Sequence, residues 1–396
     1  MNIVLFDGEG VDHLLPFTYT RPTSEIRVGI DTISDKWKDS LDGEVSFLTR
    51  EYLSKKYSLT VAEQNVLVNG SVCPNQELVG AINELPEQAL LLKDGLLLAS
   101  KVNADQLQKA AAHPDSFELD GLAEYEYEGE FDRVEYPWDI FKLNDSQLRS
   151  DFERITKGRV SAQIDESNQV FGNDLFVEEG AQVQGAMLNT KTGPIYIGKN
   201  AEVMEGSVIR GPFALCDHAA VKLATKVYGA TTVGPHSKIG GEVNNSVIFG
   251  YSNKGHDGFL GNSVLGEWCN LGADTNNSNL KNNYSEIDVW SHAEKKYVKT
   301  GLQFCGLLMG DHSKSGINTM FNTGTVVGVS ANMYGGDFHK KFIPSFTWGG
   351  PSRKVEFSFP KACDVAHRMM ERRSIPFDET EQEIFKAVYD LTADQR

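Results

Sequence analysis

The 396-residue chain contains no apolar run near the roughly 18 residues that a membrane-crossing helix needs, which argues against a helical membrane protein. It lacks paired cysteines as well. Cys73, Cys216, Cys269, Cys305 and Cys363 are odd in number, widely spaced and free of any C-x-x-C pair, which argues against a disulfide framework or a zinc cluster. A basic excess is also absent: the formal charge is -17, and phosphate-backbone binding depends on Lys and Arg, so nucleic acid is not an expected partner. No basic segment precedes the short apolar stretch in MNIVLFDGEG, so it reads as a first strand and not a signal peptide, and a cytoplasmic location is expected. With 40% hydrophobic residues the chain is not disordered, and its length allows two or three domains.

The acidity is concentrated at one end. Residues 1–155 hold 14 Lys and Arg against 29 Asp and Glu, and residues 156–396 hold 24 against 26. An anionic substrate is more easily accommodated in the second part.

The strongest pattern is a repeat. Ile197, Val203, Ile209, Leu215, Val221, Val227, Val233 and Ile239 recur in steps of six. This period fits neither a helix nor a simple strand; it fits three short flat faces per 18-residue coil, a parallel β-helix. Glycines such as Gly198 and Gly234 fall where the coil must bend. After Ile239 the phase slips by two and resumes at Val247, Asn253, Phe259, Leu265 and Leu271, with a last stretch at Ile317, Thr323 and Val329. Residues 276–300 are polar and aperiodic, and read as a loop excursion of the kind that carries function.

Residues 1–155 alternate strand-like segments (3–6, 45–48, 66–68) with helix-like ones (32–40, 51–57, 76–85), which predicts an α/β layer with a parallel sheet. Lys93-Asp94-Gly95 between two apolar runs predicts a hairpin. Asn144 or Asp145 is expected to cap a helix through Leu148, Phe152 and Ile155 that links this domain to the repeats. The tail reads as two helices, the second opened by Thr380 and Glu383 in capping-box spacing. The division is therefore 1–155, 156–350 and a helical tail 351–396.

Two segments carry a family resemblance: GHDGFLGNSVLGEWCNLGADTNNSNLK, residues 255–281, and MGDHSKSGIN, residues 309–318. They resemble the acetyltransferase half of the bifunctional N-acetylglucosamine-1-phosphate uridyltransferase/glucosamine-1-phosphate acetyltransferase family, above all its divergent branches. The resemblance covers residues 160–340 closely and 1–155 loosely. It implies a Rossmann-like α/β nucleotidyltransferase-like domain followed by a left-handed parallel β-helix with hexapeptide repeats, a homotrimer, and acetyl-CoA as co-substrate. By the same resemblance His256 is the general base, Asn270 and Asn279 lie near the acetyl and acceptor groups, and Ala273 falls in the coenzyme A segment. Lys254 lies one residue from a lysine that holds the sugar phosphate. Phe259 and Leu280 stand where tyrosines are usual, which bears on acceptor identity.

The residues themselves point the same way. Acetyl transfer to an amine needs a base near neutral pH, which imidazole supplies, and amide donors stabilise the oxyanion. His312 in Gly-Asp-His-Ser-Lys-Ser-Gly is the competing base and is read as an acetyl-CoA-binding residue together with Gly310. Lys222, Lys226, Lys254 and Lys281 are candidate contacts for a sugar phosphate, beside Phe259. Each also has a plain alternative: His256 as a surface histidine in a Gly-rich turn, each lysine as a solvated charge.

Sugar nucleotidyltransferases resemble one another in a Gly-rich loop after the first strand, a later Pro-Lys pair and an Asp that binds magnesium. Here Gly8 and Gly10 follow the first strand, Arg21-Pro22 stands near the Pro-Lys position, and Asn69-Gly70-Ser71 stands at the later strand. Gly8, Gly10, Arg21 and Asn69 are thus the nucleotide-site candidates, with Mg2+ and a nucleoside triphosphate implied; the metal ligands are unassigned. Asp7, Glu9 and Asp12 oppose a triphosphate. The leading expectation is an acetyl-CoA-dependent N-acetyltransferase acting on an amino-sugar 1-phosphate, linked to sugar-nucleotide formation. The alternatives are a sugar-1-phosphate nucleotidyltransferase whose β-helix serves trimerisation, and a non-catalytic trimeric sugar-nucleotide-binding scaffold.

Overall fold

The computed structural model describes residues 1–117, 119 and 121–396. Its N-terminal part is built on a six-stranded sheet in the order Glu44–Leu48, Asn2–Phe6, Gln64–Asn69, Leu96–Asn103, Ala89–Lys93, Ala123–Glu126. Asn2–Phe6 runs parallel to both neighbours. Ile3 and Leu5 pack with Ile33, Trp37 and Leu78 on one side, Val4 and Phe6 with Leu107 and Ala110 on the other. A strand covered on both faces must be apolar throughout, and this one is. Thr32, Asn75 and Asn103 cap the helices Ile33–Leu41, Gln76–Glu84 and Ala104–Ala111 by accepting N–H groups of Asp35, Leu78 and Gln106.

Three details differ from the sequence reading. The hairpin at Asp94-Gly95 is present, with φ of 51° and 80°, but Leu96–Asn103 is antiparallel to both its neighbours, so the sheet is mixed. The expected helix over 51–57 is only a single turn, Glu51–Leu53. The linking helix Asn144–Thr156 has no side-chain cap. Asn144 instead accepts from the Gly29 N–H at 2.8 Å and donates to the Ala230 carbonyl at 3.1 Å, which ties three segments together.

The second part is a left-handed parallel β-helix. Its three faces carry nine, ten and six strands. Ile197, Leu215 and Val233 stack on the nine-strand face, Val203, Val221 and Ile239 on the ten-strand face, and Ile209 and Val227 on the six-strand face. All eight are 2% exposed or less, as a hexad core requires. Beyond Ile239 the register departs from the expected phase. Shortened turns bring Val243, Ile248 and Leu260 inward. Val247 faces out into the N-terminal part, and Phe259 faces out half-buried. In the last stretch Ser315, Phe321 and Val327 hold the inward register. Ile317 is 68% exposed, Thr323 lies in a turn, and Val329 packs under the C-terminal helices.

The excursion is not an open loop. Between Asn276–Asn277 and Leu307–Met309 the chain forms an antiparallel hairpin, Asp288–Ser291 with Lys296–Lys299. Ile287, Val289 and Cys305 are buried in one apolar cluster with Val264 and Leu308 of the nine-strand face and with the N-terminal part. The tail forms two helices, Phe359–Glu371 and Glu379–Leu391; Asp378, not Thr380, caps the second by accepting from Glu381 N–H at 3.0 Å. Phe385, Ala362 and Met370 pack on Trp268, Val329 and Phe346. The N-terminal part thus covers the nine-strand face, and the tail covers one corner beside it.

Candidate active site

His256 lies in the turn between Asn253–Lys254 on the ten-strand face and Phe259–Gly261 on the six-strand face, and it is exposed. Gly258 makes this turn possible: its φ is 115°, and a Cβ there would stand 2.2 Å from the Thr275 carbonyl oxygen. The next coil repeats the corner with Ala273 and Asp274, whose N–H bonds the Asp257 carbonyl at 3.0 Å. His256 and Ala273 therefore share one edge of the prism. On the ten-strand side, Asn253 donates to Asn270 at 2.9 Å. On the six-strand side, Phe259 and Asn279 lie together over Gly261, and Asn279 donates to Asn262 at 2.8 Å. Leu280 bridges to Phe304 of the excursion.

The lysines divide. Lys222 sits half-buried on the same edge, and Lys226 is exposed on the six-strand face 3.9 Å from Glu242. Lys281 donates to the Glu286 carbonyl at 2.5 Å and lies 3.5 Å from Asp288, so the excursion already occupies it. Lys254 is not a surface contact at all. It pairs in register with Ile239, faces the prism interior and is 2% exposed. A sugar phosphate outside the prism cannot meet it.

His312 and Gly310 are corrected too. His312 is 7% exposed, stacked on Trp268 and edge-on to Phe385 at 5.0 Å beneath the tail, and burial pushes its pKa well below the usual imidazole range. Gly310 packs against Pro16 and Gly328. Neither is open to acetyl-CoA. Sequence reasoning missed Lys314, which stands beside Asn270 on the ten-strand face; burial lowers its pKa to about 8. Only knowledge of the inward register would have put it there.

In the N-terminal part, Gly8 and Asn69 come together: a Cβ added at Gly8 would stand 3.2 Å from Asn69 Nδ2. Gly10 adjoins Arg133, which donates to Ser71 at 3.2 Å. Arg133 was not singled out from sequence, although it is the lone cation in GEFDRVEYPWD. A cavity of about 680 Å³ opens beside the loop, lined by Asp7, Glu9, Arg50 and Tyr52 and closed by His292 and Lys295 of the excursion. Burial raises the Asp7 pKa, against hydrogen bonds from Thr49 and Thr23. Arg21 does not belong to this loop: it is 3% exposed, bound to Asp311 at 2.5 and 3.1 Å, and 3.2 Å from Glu267. Among the described residues no three His, Cys, Asp or Glu side chains are grouped to hold a metal ion.

No helix is long and apolar enough to cross a membrane among the described residues. Residues 3–160 match the model of the sugar nucleotidyl transferase family. The chain is 29% identical over 214 residues to the bifunctional sugar-1-phosphate nucleotidylyltransferase/acetyltransferase of Sulfurisphaera tokodaii, covering 53% of this chain and 46% of that protein. It is 30% identical over 200 residues to the bifunctional protein GlmU of Methanocaldococcus jannaschii, covering 50% and 42%. Among solved structures, the polySia specific acetyltransferase NeuO aligns with 48% of this chain and 86% of its own, at 13% identity and a TM-score of 0.28. The chain spans about half the length of the curated relatives it matches. Over that half it is similar to the bifunctional nucleotidyltransferase/acetyltransferase proteins, at an identity that marks it as divergent from them.

Proposed function

We propose that the protein is an acetyl-CoA-dependent N-acetyltransferase whose acceptor is an amino-sugar 1-phosphate, and that it works as a homotrimer. The observation that carries this reading is the exposed His256 imidazole on an open prism edge, flanked by Asn270 on one face and by Phe259 and Asn279 on the other. The amine nitrogen of the acceptor attacks the thioester carbonyl carbon, and His256 takes the proton that nitrogen releases. Collapse of the tetrahedral intermediate breaks the carbon–sulfur bond, and the leaving thiolate of coenzyme A takes the proton back from His256. Asn270 or a backbone N–H supports the oxyanion. Lys222 and Lys226 offer charge to the sugar phosphate from the same side of the prism, and Ala273 borders the coenzyme A path.

Phe171, Met187, Val208 and Tyr228 on the six-strand face are each at least 40% exposed and border a cavity of about 690 Å³. A contiguous apolar patch on an outer sheet fits a face covered by another copy. That face adjoins the His256 edge, so a neighbouring subunit would close the site from one side.

The match of residues 3–160 to the sugar nucleotidyl transferase model favours a second reading, transfer of a nucleotidyl group at the Gly8 loop. Arg50 and Arg133 supply charge there, against Asp7, Glu9 and Asp12. The deciding experiment is a thiol-release assay over a panel of amino-sugar phosphates. His256→Ala is expected to lose roughly 10² to 10⁴ in rate while still binding acetyl-CoA. Equal rates for parent and variant would remove His256 from the mechanism; nucleotidyl transfer without thiol release would promote the second reading.

A further inference from the structure

Every coil of the ten-strand face sends one side chain into the prism. Val203, Val221 and Ile239 fill this column below, and Leu271, Ser315 and Met333 continue it above. Between Ile239 and Leu271 the column holds Lys254, 2% exposed. An ammonium group in this position is costly. No carboxylate lies within ion-pair distance of it among the described residues, and the opposing charges that reach it are Asp257 and Asp274, on the two stacked corner turns. Burial outweighs both and lowers the Lys254 pKa to about 8. An apolar side chain of similar length would fill the same space without that penalty.

The lysine supplies something an aliphatic chain does not. Its Nζ reaches along the inside of the corner and donates to the backbone carbonyl of His256 at 2.6 Å. That carbonyl belongs to the turn Gly255-His256-Asp257-Gly258, whose two glycines leave its backbone with wide conformational freedom. The His256 side chain is exposed, so its direction follows from the backbone that bears it.

We infer that Lys254 is a positioning residue: from within the prism it pins the His256 carbonyl and fixes the turn that presents the imidazole to the substrates. This rests on the reading of His256 as the base. It assigns Lys254 a role opposite in direction to a substrate contact, since it acts from the core side of the wall. A shift of about 1 Å in a reacting group costs up to roughly 10² in rate, which sets the scale of the effect.

The test is Lys254→Met in the full chain, compared with the parent and with His256→Ala. Three readouts are taken: amide hydrogen exchange of the peptide covering residues 255–258, melting temperature, and kcat and KM for acetyl-CoA. The tie predicts faster exchange in that peptide and a melting temperature equal to or above the parent's. It also predicts a fall in kcat of about ten- to hundredfold, with KM for acetyl-CoA within about threefold. A merely structural lysine would lower the melting temperature and leave local exchange and kcat alone. Unchanged exchange at 255–258 overturns the tie, and so does a variant that fails to fold, because an apolar side chain must be accepted there. Faster exchange with unchanged kcat overturns the catalytic consequence. If His256→Ala is also as fast as the parent, the base assignment is what has failed; if His256→Ala is slow, the positioning role is.

Discussion

Removing Asp311 should loosen the seam between the N-terminal part and the β-helix without unfolding either. The Asp311 carboxylate is 3% exposed and all its acceptor positions are engaged. Arg21 donates to it twice, at 3.1 and 2.5 Å, Thr20 donates at 2.7 Å and the Glu267 N–H at 2.9 Å. Burial alone would lower the Arg21 pKa, but Asp311 and then Glu267 outweigh it and hold it raised. At about 3 Å and an effective dielectric of about 20, the attraction between Arg21 and Asp311 is roughly 5 kcal/mol before desolvation is charged against it. Asp311→Asn keeps the volume but strands a buried guanidinium, with only the part-exposed Glu267 left to it. Breaking one side of a buried pair costs about 3–5 kcal/mol.

Because the pair joins two parts of the chain that a melting curve does not resolve, native-state hydrogen exchange at the covered nine-strand face is the better measure. A cost of about 3 kcal/mol corresponds to exchange faster by on the order of a hundredfold at Val247, Val264 and Leu308, with little change at Val203 or Val221 far from the interface. The double change Arg21→Met with Asp311→Leu removes both charges and should restore most of the protection. Exchange within threefold of the parent for Asp311→Asn, or a double variant as exposed as the single one, would refute the claim that this pair tightens the seam between the two parts.

The six-strand face predicts assembly: Met187→Glu combined with Tyr228→Glu places charge where a neighbouring copy would sit, and light scattering should show a trimer in the parent and a monomer in the variant. A parent that is already monomeric at micromolar concentration counts against that surface. The buried lysines predict a pH dependence. Their folded pKa of about 8 lies below the reference value of 10.5, so between these pH values the unfolded chain binds more protons than the folded one. Stability is therefore expected to rise with pH across that window, by up to roughly 3 kcal/mol for Lys254. In urea titrations from pH 7.5 to 10, Lys254→Met should lose that share of the rise; an identical slope would mean that the ammonium is solvated.

The β-helix was legible because eight aliphatic residues follow one another in uninterrupted steps of six, and no competing period can produce that. Legibility ended where the turns shorten. The coil from Val233 to Ile248 is three residues shorter than the eighteen that separate Leu215 from Val233, and a strand shifted by one residue turns every side chain to the other face. This is why Val247 and Phe259 were placed inside when Ile248 and Leu260 are. The hairpin in the excursion was hidden for a different reason. Its apolar residues, Ile287, Val289 and Val298, gain their meaning from the N-terminal part they pack against, and local alternation between polar flanks does not show that partner. Arg21 went astray in the same way, since a cation in a phosphate-site motif looks alike whether it meets a ligand or a carboxylate 290 residues away.

The two histidines in similar Gly-rich turns are separated by a rule that the register supplies. His218, His236, Tyr251, Trp268 and His312 each lie three residues before the inward residue of the ten-strand face, at Val221, Ile239, Lys254, Leu271 and Ser315. All five have φ between 57° and 61°, so the same left-handed corner recurs in each coil and their rings stack from coil to coil. The tail packs over the upper rings of that ladder, through Phe385 and its neighbours. His256 and Ala273 lie two residues after the inward position, at the opposite end of the strand, on an edge that neither the N-terminal part nor the tail covers. The offset from the inward residue thus sets which edge a histidine occupies, and on the ladder edge the tail sets its burial: His218, away from the tail, is exposed, whereas His312 beneath it is a buried rung with its pKa driven down by desolvation. Moving chemistry to His312 would require removing the tail from Trp268 and Phe346, which would expose a stack of aromatic rings to water. The base belongs on the edge the fold leaves open.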